Sequence, residues 1–253
     1  MKEKFIKFIN LFLKLFFNIS IIRFNQHYNG IILYKNHKKK VYIKRSFSKS
    51  GTKLIDNEIK GYKWYLRCIK KMNYLNYNKN SVLPKIAVNQ FYGIKAPFKD
   101  NIIKNSDFFI SSLKHYKKIW NNSKMAPAHG DFTFDNLIFN KKKKTTRIID
   151  WENFKENREV WGFDISYLLL SILILPNIKK KKIPDLEKKR FINLWKITKK
   201  NILCKELKSN PMKFFEKKFK IDPYWKKLAI SYPRKYFLPR INLSLREEII
   251  KIF

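Results

Sequence analysis

The residues of this chain best suited to chemistry lie between Ala128 and Glu152, in AHGDFTFDNLIFNKKKKTTRIIDWE. His129-Gly130-Asp131 reads as a turn, Asn136 follows five residues after Asp131, and Asp150 closes the second of two apolar runs, LIF and RII. Two short strands joined by Asn140 to Thr146 would bring the residues before the first strand and those after the second to one end of a hairpin. On that reading Asp131, Asn136 and Asp150 converge. Two carboxylates and an amide oxygen are hard ligands, suited to Mg²⁺ and phosphate rather than to zinc or a redox metal. An aspartate that stays off the metal can take the proton of a hydroxyl, while Asn136 and Asp150 hold an ion that bridges nucleotide phosphates. The chemistry indicated is phosphoryl transfer, in which positioning and charge neutralisation do most of the catalysis. The plain alternative is an ordinary polar hairpin.

The elements that must position these residues fall into two halves. The expected strands run Ser20 to Phe24, Gly30 to Lys35 and Lys40 to Phe47, the last two joined at Asn36-His37. A helix from about Lys53 to Met72 follows, with Thr52 or Ser50 as its cap. Pro84 to Phe98 reads as two more strands meeting near Tyr92-Gly93, and Ile103 to Trp120 as a helix. From Trp161 onward the pattern is mainly helical, broken by Lys179 to Lys182 and by Pro211, Pro223, Pro233 and Pro239. The organisation expected is α+β: an amphipathic helix over 1–19, a β-rich nucleotide-binding lobe over 20–100, and a helical lobe over 101–253 that carries the catalytic and metal motifs.

Residues 128–152 resemble the catalytic and metal motifs of the aminoglycoside phosphotransferase and choline kinase-like family, the small-molecule branch of the protein-kinase-like fold. There the pattern is H-G-D-x-x-x-x-N followed by I-D-[WF]-E. The resemblance implies a two-lobe fold, with ATP and Mg²⁺ as cofactors. It implies Asp131 as catalytic base, Asn136 and Asp150 as metal ligands, and His129 as a support of the catalytic turn. Asp164 in WGFDIS matches the family's later aspartate, which braces the same loop. Glu152 matches the motif without a settled role.

A kinase-like small lobe also needs a strand lysine for the α and β phosphates and a helix carboxylate to hold it. Val41-Tyr42-Ile43-Lys44 is such a strand, and Glu58 lies fourteen residues on in the helix that follows. Asp56 is the competing acid, to be separated from Glu58 by helix phase. Two departures from the protein-kinase pattern stand out. Asn25 to Gly30 lacks G-x-G-x-x-G, and I-D-W-E replaces D-F-G.

Composition bounds the rest. With 253 residues, 45% hydrophobic and 16% aromatic, the chain is too rich in core formers to be disordered despite its charge. Cys68 and Cys204 are its only thiols, which excludes a disulfide scaffold and fits a reduced, cytoplasmic setting. Lys plus Arg number 57 against 19 acids, a net charge of +38. That favours anionic partners. A composition crowded with Lys, Ile, Asn and Phe and poor in Ala and Gly is also what an AT-rich genome imposes, so charge alone gives nucleic acid little weight as a partner.

No run of about 20 apolar residues exists, and YLLLSILILP, Tyr167 to Pro176, reads as a buried core helix. The first residues begin as a signal peptide does, but Lys14 interrupts the apolar stretch and no small-residue cleavage site follows. At helical spacing Glu3, Lys7, Asn10, Lys14 and Asn18 form one narrow polar stripe in an otherwise apolar helix. Residues 1–22 therefore suit either docking on their own domain or peripheral contact with an anionic membrane, at its inner face.

The acceptor is narrowed by charge. From Ile165 to Phe253 there are 7 acids against 23 bases, which would repel a polycationic aminoglycoside. A sugar or surface-glycan precursor fits better, with choline or ethanolamine as the nearest rival, for which Trp195, Tyr224 and Trp225 could cage an ammonium group. A non-catalytic kinase-like protein that binds nucleotide or polyanion is the alternative of another class.

Overall fold

The computed structural model describes residues 2–25, 30–70, 75–78, 85–89, 94–95, 102–120, 125–140, 142–143, 145–160, 163–177 and 182–199. The chain is α+β and divides into two units. The first holds Met1–Tyr92 and Asp150–Lys155, and the second Gly93–Ile149 and Glu156–Phe253. The chain thus returns to the first unit for one short segment, which a linear boundary near residue 100 does not anticipate.

In the first unit a helix α1, Lys2–Phe17, precedes β1, Ile19–Asn25, β2, Ile31–Asn36, and β3, Val41–Ser46. Helix α2, Lys49–Cys68, is followed by β4, Leu75–Asn78, and β5, Lys85–Asn89. The five strands form one antiparallel sheet in the order β1-β2-β3-β5-β4, with Lys44 opposite Leu33 on β2 and Ile86 on β5. The turn between β2 and β3 spans His37 to Lys40, two residues longer than the Asn36-His37 turn expected. Asn36 Oδ1 accepts from Lys39 N, and Lys40 takes a left-handed φ of 51°.

Helix α2 starts earlier than its periodicity suggests. Ser48, extended at φ −137° and ψ 157°, accepts from Gly51 N and is the cap, in place of Thr52 or Ser50. The helix ends at Cys68 rather than Met72, where Lys70 turns left-handed at φ 52°. Its buried stripe, Ile55, Glu58, Tyr62, Tyr65 and Leu66, packs on the sheet with an acid in its middle. The exposed Cys68 has no disulfide partner, and Cys204 lies outside the described residues.

Helix α1 is docked on β1 through Asn10 of its polar stripe, with Ile9 and Leu13 half-buried beside it and Lys14 and Asn18 exposed. Asn10 Oδ1 accepts from Ile21 N at 2.7 Å and its Nδ2 donates to Ile21 O at 3.1 Å, beside a bulge in β1. Phe8, Leu11, Phe12, Leu15 and Phe16 consequently face outward. Docking on its own domain is thus what α1 shows, through Asn10 and its neighbours and not through the face of Phe8, Leu11, Phe12, Leu15 and Phe16. No helix among the described residues is long and apolar enough to cross a membrane.

In the second unit α3 is Ile102–Ile119, α4 Phe163–Asn177 and α5 Asp185–Lys199, and the three pack on one another. As expected from YLLLSILILP, α4 is a core helix, with Tyr167, Leu168, Leu169, Ile172 and Leu173 all buried. Trp195 on α5 is also a buried core residue, which removes it as an ammonium cage, and Tyr224 and Trp225 lie outside the described residues. Strands β8, Leu137–Asn140, and β9, Thr145–Ile148, form the expected hairpin, Leu137 opposite Ile148. Pro84 to Phe98 holds the two strands expected, β5 and β6, Ile94–Lys95, of which β6 pairs with β8. Two strands without an alternating signal, β7, Met125–Ala128, and β10, Lys155–Val160, pair with each other.

Candidate functional site

Lys44 lies on the middle strand of the first unit's sheet, and its side chain is 14% exposed. Period-two alternation puts it on the face covered by α2, whose buried stripe presents Glu58. Asp56, two residues earlier, is exposed, so helix phase selects Glu58. Lys44 Nζ donates to Glu58 Oε2 at 2.8 Å and to Asp150 Oδ1, and stands 3.6 Å from Glu152 Oε2. One ammonium therefore serves three carboxylates.

That imbalance sets the titration of the group. Burial would pull Lys44 down, but Asp150, Glu58 and Glu152 together hold its ammonium well above the usual lysine range. Burial pushes the Glu58 carboxyl up to about 8, against the opposing pull of Lys44 and with the help of Asp150 and Glu152. The ion pair taken alone would lower it. Burial outweighs the ion pair because the lysine is shared among three acids and Glu58 is 3% exposed.

The two acids from the returning segment are held by α2. Trp151 is fully buried against Tyr62, Trp64 and Tyr65, with ring centroids 6.4, 5.8 and 5.1 Å away. Asn57 Nδ2 donates to Glu152 O at 2.7 Å and to Phe154 O at 2.9 Å, and Asp150 N donates to Tyr62 Oη at 3.2 Å. Burial, reinforced by Glu58, keeps Tyr62 well above its ordinary value and so a hydroxyl. Gly61 lets the segment approach: a Cβ there would come 2.7 Å from Trp151 Cβ and 3.0 Å from Phe154 Cβ. Asp150 itself takes φ 67°, a left-handed conformation that non-glycine residues adopt at a cost and that aspartate and asparagine tolerate better than most. Asn57 and Tyr62 were not singled out from sequence. The available signal was position, since one adjoins Glu58 and the other lies one helical turn further along its face.

In the second unit the His129 turn is braced from below. The buried Asp164 carboxylate accepts from His129 N at 2.6 Å and from Gly130 N at 3.0 Å, while Gly130 takes φ 84°. His129 Nε2 faces Ile149 O at 2.9 Å, and its Nδ1 faces Asp131 N at 3.3 Å. A carbonyl can only accept and an amide only donate, so the ring is the Nε2–H tautomer. Asn136, in a short 3-10 helix over Phe134–Asn136, donates from Nδ2 to Asp131 O at 2.8 Å and to Asp131 Oδ2 at 3.1 Å. Its donor end thus orients Asp131, and its remaining ligand atom is the hard oxygen Oδ1. Ile149 N donates to Asn136 O at 3.0 Å, tying the hairpin's two ends together just before Asp150.

The first unit thus gathers Lys44, Glu58, Asp150 and Glu152, and the second His129, Asp131, Asn136 and Asp164. Glu58, Asp150 and Glu152 offer oxygens all within 4.8 Å of one another, a donor set whose hardness fits Mg²⁺, with the Lys44 ammonium as the cation they now hold. The chain matches no protein-family model, and no curated protein matches it.

Proposed function

We propose that this chain is an ATP- and Mg²⁺-dependent phosphotransferase with a hydroxyl acceptor, on a kinase-like two-lobe fold. The supporting observation is the Lys44 ammonium held jointly by Glu58, 14 residues on, and Asp150, 106 residues on. A strand lysine fixed by a helix glutamate is the device that presents a cation to the α and β phosphates. Asp131 is the base. It takes the acceptor's proton as the acceptor oxygen bonds to the γ phosphorus and the bond to the β-phosphate oxygen breaks, ADP leaving with that electron pair. Asn136 orients Asp131, and Asp164 and His129 hold the turn on which it sits. Asp150 of the first unit and Asn136 of the second each supply a hard oxygen suited to ligating Mg²⁺, which would neutralise phosphate charge.

The acceptor is a neutral or anionic small molecule, with a sugar or surface-glycan precursor first, because the second unit's sequence is strongly basic. Choline-type acceptors lose support from the burial of Trp195. The test is incubation of the protein and its Asp131→Asn variant with γ-labelled ATP, Mg²⁺ and an extract split into polar metabolites, lipids and glycans. Label in one fraction with the parent alone supports the reading and names the acceptor class. Equal turnover by Asp131→Asn refutes the assignment of the base, and ATP binding with no transfer to any fraction favours a non-catalytic nucleotide binder.

A further inference from the structure

Helix α1 presents the wrong face to water for a free surface. Asn10, from its polar stripe, is tied to both backbone groups of Ile21, and Ile9 and Leu13 are half-buried beside it. The opposite face carries Phe8, Leu11, Phe12, Leu15 and Phe16 at i, i+3, i+4, i+7 and i+8, with exposures from 48% at Phe12 to 69% at Phe16. Phe12 and Phe16 sit against each other at 4.7 Å, so the patch is contiguous. Five large apolar side chains in one outward stripe exceed the scattered exposure normal for a surface.

The charge around the patch identifies what covers it. Lys14 is exposed on the same helix. At the helix's C-terminal end Asn18 O accepts from His37 N at 2.8 Å, and Ser20 Oγ meets His37 Nε2 at 2.8 Å. Those two bonds hold the β2–β3 turn there, with Lys38, Lys39 and Lys40 all exposed. Glu3, Asp56 and Glu58 are the only acids of residues 1–92. A second copy would set these lysines against like charge, and a nucleic acid would leave the phenylalanine and leucine stripe in water. An anionic lipid surface satisfies both features.

We infer that α1 is an in-plane anchor: its Phe8, Leu11, Phe12, Leu15 and Phe16 face enters the interface of an anionic bilayer, and Lys14 with the Lys38 to Lys40 turn engages the headgroups. The helix has 16 residues, about 24 Å of length lying along the surface. Asn10 fixes its rotation, so the first unit meets the membrane in one orientation. The inference stands independently of phosphoryl transfer, because it is read without turnover.

The test is flotation of the full chain with vesicles of phosphatidylglycerol and phosphatidylcholine, and with phosphatidylcholine alone. The parent should float with the anionic vesicles, less so as salt rises and far less with neutral ones. Phe12→Ser with Phe16→Ser should weaken binding by on the order of tenfold or more, and Lys38→Glu with Lys40→Glu comparably. All four positions are exposed, and unchanged circular dichroism melts would show that the variants fold. Absence of the parent from anionic vesicles overturns the inference. So does undiminished binding by the phenylalanine double variant, which would reduce the contact to charge alone. A concentration-dependent dimer abolished by the same variant, without vesicle binding, would assign the face to a second copy instead.

Discussion

Replacing Lys44 by Met removes one ammonium from three carboxylates, and the cost follows from their geometry. Nζ is 2.8 Å from Glu58 Oε2 and 3.6 Å from Glu152 Oε2, and is bonded to Asp150 as well. With both carboxylates ionised, an effective dielectric near 20 gives those two separations roughly 6 and 5 kcal/mol of gross attraction. Most of that offsets the desolvation of the charges, and breaking such a buried cluster by deleting one partner costs about 3–5 kcal/mol net. The cost depends on pH. The Glu58 carboxyl is raised from 4.5 to about 8 in the fold, so the stability it contributes is full below its unfolded value and declines as pH rises toward 8. Lys44 is what restrains that rise, so its loss pushes Glu58 higher and steepens the decline. Near pH 5 the raised Glu58 carboxyl is protonated and no longer draws on the ammonium, so the penalty should shrink to about 1–2 kcal/mol. Urea unfolding of parent and Lys44→Met at pH 5 and pH 8 measures the difference, with hydrogen exchange of α2 amides reporting the first unit itself. A loss under about 1 kcal/mol at both pH values, or a larger loss at pH 5, would refute the reasoning.

Two further substitutions test the supports of the site. Gly61→Ala should destabilise by about 1–3 kcal/mol, because its Cβ would meet Trp151 Cβ at 2.7 Å. A thermal melt equal to the parent's would deny that close approach. Asp164→Asn replaces a carboxylate that accepts from both His129 N and Gly130 N with an amide that can accept at one atom only. It should cost about 1.5–3 kcal/mol, and retention of full stability would show the turn to be held by other means.

The pairing of Lys44 with Glu58 was legible because strand alternation and helix period each leave few acids able to reach a given lysine. The β8–β9 hairpin was legible from two apolar runs around a lysine turn. The start of α2 was not, since Ser48, Ser50 and Thr52 are all competent caps and only the extended backbone at Ser48 separates them. Strand β4, LNYN, alternates, but over four residues only, too short a run to read as a strand. Asn57 and Tyr62 act on backbone atoms of a segment about 90 residues away, a contact that leaves no mark in local pattern. For α1 the period was plain and the orientation was not. A hydrophobic stripe says that two faces differ, and a single asparagine paired with Ile21 decides which of them is turned inward.

The return of Asp150–Lys155 to the first unit governs how that unit can be made. A ribosome that has delivered residues 1–92 has delivered neither Trp151, which fills the aromatic box on α2, nor Asp150. The unit therefore stays incomplete while Gly93–Ile149 is synthesised, with the ring faces of Trp64 and Tyr65 awaiting their partner. Closing across that stretch costs roughly 3–4 kcal/mol of chain entropy in its length-dependent part. No contiguous cut of the gene yields the first unit both whole and alone. Expression of it alone requires residues 150–155 to be spliced in or supplied as a peptide, and completion of the lysine's carboxylate shell is coupled to the late arrival of a single tryptophan.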